Sequence, residues 1–254
     1  MVSSYNTING TKKIRKEILE KDQSKETIGK KSFSHKEQSF KKLGLENVSC
    51  KYGEDTIFSN VNLCVKSGEK ILISGVSGVG KSSLIRSILK EIRVDTGNLR
   101  INEEVYSQEE AYDVFAVVEQ TPVVFESSIL YNVTLGNDAT DNAVISVLLE
   151  AGLPEFSNHN ALQKKISENG SNLSGGQLKR IEIARALFFN HRVLLVDEGT
   201  ASLDLKTSTQ IHKLLLSNDF LTVIEVDHHI PEQVRGLYTS RYILTKNGLQ
   251  EDLT

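Results

Sequence analysis

Three short segments of this 254-residue chain combine residue types at spacings that can do chemistry. The first is Gly75-Val76-Ser77-Gly78-Val79-Gly80-Lys81-Ser82, continued by Ser83, which fits the pattern GxxxxGK[ST]. Glycines there let successive backbone N–H groups turn inward around a phosphate without Cβ clashes, and a following helix start adds the positive end of its dipole. Lys81 would neutralise β- and γ-phosphate oxygens, and the Ser82 hydroxyl would bind Mg²⁺. The second segment is Val193-Leu194-Leu195-Val196-Asp197-Glu198. Four apolar residues place Asp197 at the carboxyl end of a buried strand, where it can hold Mg²⁺, with Glu198 beside the γ-phosphate to polarise water. The third is Leu173-Ser174-Gly175-Gly176-Gln177, a hydroxyl and two glycines opening a helix, which makes a second anion-binding helix tip.

These residues need elements to hold them. Residues 70–74 form a compact apolar strand, and Leu84, Ile85, Ile88 and Leu89 give a helical pattern after the glycine-rich turn. Strand, phosphate loop and helix thus follow in the required order. Residues 45–52 and 57–65 read as short strands divided by the turn Gly53-Glu54-Asp55. Residues 141–151 and 176–189 read as helices, and residues 193–196 and 221–226 as buried parallel strands. Alternating strands and helices predict an α/β fold, and no internal repeat is present.

Composition sets the outer bounds. Hydrophobic residues make up 39% and charged residues 25% of the chain, which excludes global disorder. No apolar run reaches the roughly 18–20 residues of a membrane-spanning helix. The first 20 residues lack the apolar core of a signal peptide. A net charge of −3 gives no basic footprint for nucleic acid. Charge is uneven: residues 1–42 hold eleven Lys/Arg against five Asp/Glu, a net +6, which leaves −9 for the remainder. Such an arm reads as a solvated linker or as a segment touching an acidic or membrane surface. Cys50 and Cys64 are too few for a disulfide scaffold; both are expected as small core residues in a reducing setting.

The segment Leu173-Ser174-Gly175-Gly176-Gln177 is the signature LSGGQ of the ATP-binding cassette family, and residues 44–248 resemble an exporter-type cassette. The resemblance implies a P-loop NTPase core with a mixed, largely parallel sheet. An antiparallel β subdomain and a helical subdomain carrying the signature, about residues 122–182, would complete it. It implies a head-to-tail dimer, with an identical copy expected, in which ATP–Mg²⁺ on one phosphate loop meets Ser174, Gly175, Gly176 and Gln177 of the other. Residue by residue, Tyr52 is similar to the adenine-stacking aromatic, and Gln120 to the glutamine that reaches Mg²⁺ and the attacking water. His228 is similar to the switch histidine that orients Glu198, and the neighbouring His229 leaves an alternative register. Phe125, Ser128, Ile129 and Asn132 are similar to the start of a transporter helical subdomain. Asp204 is similar to the aspartate contacting the partner copy, and would equally serve as a helix N-cap.

Two departures bear on dimer communication: Gly199-Thr200-Ala201-Ser202-Leu203-Asp204, and Leu178 where a polar residue is usual. The implied activity is ATP hydrolysis coupled to export, at the cytoplasmic face of the cell membrane. Residues 1–42 would be a basic membrane-proximal linker to a transmembrane domain, and residues 43–254 the cassette. Two other functions stand beside this one. A soluble cassette ATPase of DNA repair or translation is opposed by the short span from Lys81 to Ser174 and by the lack of a tandem cassette. A non-hydrolysing regulator is opposed by the intact Asp197-Glu198 pair. The transported molecule is open, with a peptide favoured.

Overall fold

The computed structural model of the protein describes residues 40–252. The basic segment therefore lies outside the described residues, except for its last three positions. Two sheets organise the rest. Strands β1 (Lys42–Tyr52), β2 (Asp55–Lys66), β4 (Thr96–Ile101) and β5 (Glu104–Val105) form an antiparallel sheet in the order β2-β1-β4-β5. In β2 the alternation predicted from residues 57–65 is visible, with Leu63 and Val65 buried and Cys64 turned outward between them. Cys64 is exposed, so the expectation of a core residue holds for Cys50 and fails for Cys64. Period-two geometry is the reason, since neighbours on a strand face opposite sides. Lys42 pairs with Lys66 in the sheet, and its ammonium meets Glu103.

The second sheet is six-stranded and mixed. It takes β3 (Lys70–Ser74), β6 (Phe115–Val118), β7 (Val193–Asp197), β8 (Thr222–Val226), β9 (Ser240–Thr245) and β10 (Gly248–Glu251) in the order β10-β9-β3-β8-β7-β6. All neighbours from β9 to β6 are parallel, and β10 closes the edge antiparallel to β9. The central strands are largely apolar because both faces are covered. Val193, Leu195, Ile71 and Ile73 face a core shared with the antiparallel sheet and with helix α1 (Lys81–Ile88). Leu194, Val196 and Leu72 face a second core filled by helices. A parallel sheet buried on two faces yields continuous hydrophobic runs of this kind.

The helices over the second core are α3 (Ile129–Thr134), α4 (Asp141–Glu150), α5 (His159–Leu162), α6 (Gly175–Phe188) and α7 (Leu205–Leu216). Short helices α2 (Gln108–Val114) and α8 (Glu232–Arg235) complete the described set. Side-chain caps start most of them: Ser107 and Ser174 form capping boxes with Glu110 and Gln177, and Ser128, Thr140 and Asp204 each accept a backbone N–H. Each cap satisfies N–H groups a helix start leaves unpaired. Among the described residues no helix is long and apolar enough to cross a membrane.

Candidate functional site

Register decides where the chemistry collects. Ile73 of β3 is level with Val226 of β8, Val226 with Asp197 of β7, and Val118 of β6 with Val196. Four parallel strands therefore end together, and their next residues are the glycine loop, Asp227-His228, Glu198 and Glu119-Gln120. Open α/β sheets bind ligands at this carboxyl edge.

The phosphate loop runs from β3 into α1. Gly75, Gly78 and Gly80 adopt φ of 152°, 79° and 105°. At Gly80 glycine is required twice over, since a Cβ would also lie 2.5 Å from Ile57 Cγ2. Val76 stands 76% exposed, whereas Val79 is tucked into the core. Lys81 is buried, and its Nζ donates to the carbonyls of Gly75 (2.9 Å) and Val76 (3.3 Å), so it lies over the loop whose amides it accompanies. Ser77 is exposed and Ser83 half-buried. Ser82 Oγ donates to Asp197 Oδ1 at 3.0 Å, which brings together two of the three expected Mg²⁺ ligands from segments far apart in the sequence. Burial raises the Asp197 carboxyl above its usual range, with the Ser82 bond opposing and the charge of Glu198 adding.

Glu198 sits in the left-handed region at φ 48°, its N–H donating to Val226 O at 2.9 Å. A non-glycine residue there costs roughly 1 kcal/mol. The strained turn aims the carboxylate at His228, whose Nδ1 is 3.2 Å from Glu198 Oε1. His228, not His229, makes this contact. Asp227 is fully buried, and its Oδ1 accepts the N–H of both His228 (2.6 Å) and His229 (2.8 Å), fixing the turn that presents the imidazole. Its Oδ2 has no hydrogen-bond partner among the described residues, and burial raises its pKa.

Gln120 is exposed, two residues past the end of β6 and next to Glu119. Burial, then the charges of Glu182, Glu91 and Asp197, push the Glu119 carboxyl up to about 7, with Lys179 opposing. Asn132, fully buried, holds Phe125 by two hydrogen bonds: it accepts from the Phe125 N–H (2.8 Å) and donates to its carbonyl (2.9 Å). Tyr52, at the end of β1, is 77% exposed and so does not fill a corner of the core.

The signature tip is a capped helix start. Ser174 Oγ accepts from Gln177 N (3.2 Å), Gln177 Oε1 accepts from Ser174 N (2.9 Å), and Gln177 Nε2 donates to Glu155. Its glycines allow close packing: a Cβ on Gly175 would lie 2.8 Å from Leu203, and one on Gly176 2.5 Å from Thr207 Cγ2. Asp204 accepts from Thr207 N at 3.0 Å, the N-cap role open to it.

A buried polar chain lies behind the site and was not anticipated from the sequence. Ser208 Oγ donates to Thr200 Oγ1, two residues past Glu198, at 2.9 Å. His212 Nδ1 faces the Ser208 carbonyl at 2.9 Å and Nε2 faces Glu225 Oε1 at 3.0 Å. Tyr238 OH donates to the other Glu225 oxygen. Burial alone would lower the pKa of His212, yet the charge and hydrogen bond of Glu225 and the Ser208 carbonyl raise it.

Fold and site together define a nucleotide-binding α/β domain of the phosphate-loop class. Residues 58–201 match the family described as ABC transporter, and the chain belongs to that family. It is 34% identical over 212 residues to a probable ABC transporter ATP-binding/permease protein of Haemophilus influenzae, covering 79% of this chain and 38% of that one. It is 31% identical over 235 residues to a lactococcin-A transport/processing ATP-binding protein of Lactococcus lactis, covering 83% and 32%. A solved structure of a bacterial Atm1-family ABC exporter with ATP bound matches with a TM-score of 0.73 at 26% identity, covering 84% of this chain and 38% of that one. The chain thus spans about a third of the length of these relatives.

Proposed function

We propose that the chain is the ATP-hydrolysing cassette of an exporter, residues 43–254, joined through the basic segment 1–42 to a transmembrane domain at the cytoplasmic face of a membrane. Residues 122–182 form its helical subdomain. The observation carrying this reading is the shared strand edge where Lys81, Asp197, Glu198 and His228 converge, with His228 3.2 Å from Glu198. Amides of residues 75–83 and the Lys81 ammonium bind the triphosphate, and Tyr52, exposed at its strand end, stacks on adenine. Glu198 takes a proton from, or orients, the water that attacks the γ-phosphorus; the bond to the β–γ bridging oxygen breaks, giving ADP and phosphate. His228 holds Glu198 in place for that step.

Ser82 Oγ and Asp197 Oδ1 lie 3.0 Å apart as hard oxygen donors, and the Gln120 amide oxygen is the further candidate, a set suited to Mg²⁺. The bound cation supplies charge neutralisation on the phosphoryl oxygens.

A second copy, arranged head to tail, brings Ser174, Gly175, Gly176 and Gln177 to the triphosphate, and closure and reopening of this homodimer drive export. The lactococcin-A transport relative favours a peptide cargo. The test is Glu198→Gln. Phosphate release should fall by about 10²–10⁴, while ATP is retained and a dimer persists in size-exclusion chromatography. Turnover at the parental rate would remove Glu198 from its role.

A further inference from the structure

Lys179 is an ammonium inside the protein. It lies on α6, five residues after Ser174, and is 1% exposed. Its Nζ donates to the backbone carbonyl of Glu119, the residue before Gln120, and to Glu182 Oε2 at 3.0 Å. Glu182 is itself buried. Removing an ammonium from water costs far more than burying a methylene chain, and an apolar residue would fill this space at no such cost. What a cation adds is direction: it can grip a carbonyl on another segment. The same helix does so a second time. Arg185 donates to the Val123 carbonyl at 2.9 Å and to the Asn132 carbonyl at 2.8 Å. Two cations of α6 thus hold the loop at residues 119 and 123, and Gln120 lies exposed between these anchors.

We propose that Lys179, through its bond to the Glu119 carbonyl, is a positioning residue that ties the Gln120 loop to the helix whose tip is Ser174-Gly175-Gly176-Gln177. Displacement of that helix then moves Gln120 with it, so the chain's own site and the tip it lends to the partner copy's site advance together. The proposal rests on the reading of Gln120 given above.

The test compares four variants of the chain. Lys179→Met with Glu182→Met removes the ion pair and the carbonyl contact but leaves an apolar pair of similar volume, a replacement that buried ion pairs often tolerate without loss of stability. The amides of Gln120, Thr121 and Val123 should then exchange with solvent at least about tenfold faster, reporting freed backbone. The kcat should fall by about tenfold to a hundredfold, as expected for a misplaced site group, with KM for ATP within about threefold of the parent, the pattern of lost positioning. Lys179→Arg should keep both amide protection and most of kcat. Glu182→Gln keeps the ammonium-to-carbonyl bond and should also keep both. Parental exchange at 120–123 in the double variant would overturn the proposal. So would Glu182→Gln losing as much protection as the double variant, because the ion pair alone would then be the cause. Gln120→Ala separates the two readings. If it leaves kcat unchanged the role of Gln120 fails, while amide exchange still judges Lys179.

Discussion

The His212–Glu225 pair is buried on both sides, and removing His212 should expose what its loss costs. His212 is 0% and Glu225 1% exposed, and the carboxylate has two partners, His212 Nε2 at 3.0 Å and the Tyr238 hydroxyl. His212→Leu leaves that carboxylate buried with the hydroxyl alone. Stranding one member of a buried ion pair costs about 3–5 kcal/mol. At roughly 2–4 °C per kcal/mol for a domain of this size, Tm should drop by about 6–20 °C. Replacing all three groups, by His212→Leu, Glu225→Leu and Tyr238→Phe, leaves nothing stranded and should recover most of the loss. Thermal unfolding followed by circular dichroism between pH 6 and pH 9 supplies a second check. The pKa of His212 is raised in the folded state, so its stabilising contribution is fully present below the unfolded value near 6.5 and declines as pH rises through the folded value. The Tm advantage of the parent over the triple variant should therefore shrink from pH 6 towards pH 9. An advantage that grows with pH, or a His212→Leu variant melting within about 2 °C of the parent at pH 6, would refute the assignment of a buried charged pair.

Two further outcomes follow from the site. His228→Ala should lower kcat by about 10² or more, whereas His229→Ala should leave it within about threefold, because only His228 reaches Glu198; steady-state phosphate release measures both. Gly176→Ala should cost about 1–3 kcal/mol through overpacking against Thr207 Cγ2. Thr207→Ser in the same chain, which removes that methyl and keeps the N–H that caps onto Asp204, should restore most of the melting temperature.

What the sequence made legible is what lies close together along the chain. Lys81 and its glycines form one contiguous loop between an apolar strand and a helix, and Asp197-Glu198 close an apolar run, so both readings needed only local pattern. The order β3-β8-β7-β6 is different. It depends on which strands become neighbours, and no single run announces that Ile73, Val226, Asp197 and Val118 will end at one edge. The positive φ of Glu198 was equally hidden, since glutamate carries no signal for that region. Strands β9 and β10 gave no warning, being short and half-exposed. Glu225 was read as part of a buried strand, yet its partners His212 and Tyr238 each lie 13 residues away, outside any helical or strand period. Lys179 and Glu182 failed in another way. Opposite charges three apart on a helix usually mark a solvated face, and only tertiary packing turns this pair inward.

The twisted backbone at Glu198 sets stability against activity at a single position. Glycine would occupy that turn with less strain, yet would remove the carboxylate that faces His228. A lineage that no longer needed turnover could therefore drift to glycine there and gain up to about 1 kcal/mol. Lys90, Glu103 and Leu135 share that backbone region, so it is the carboxylate's contact with His228, and not the bend alone, that marks Glu198.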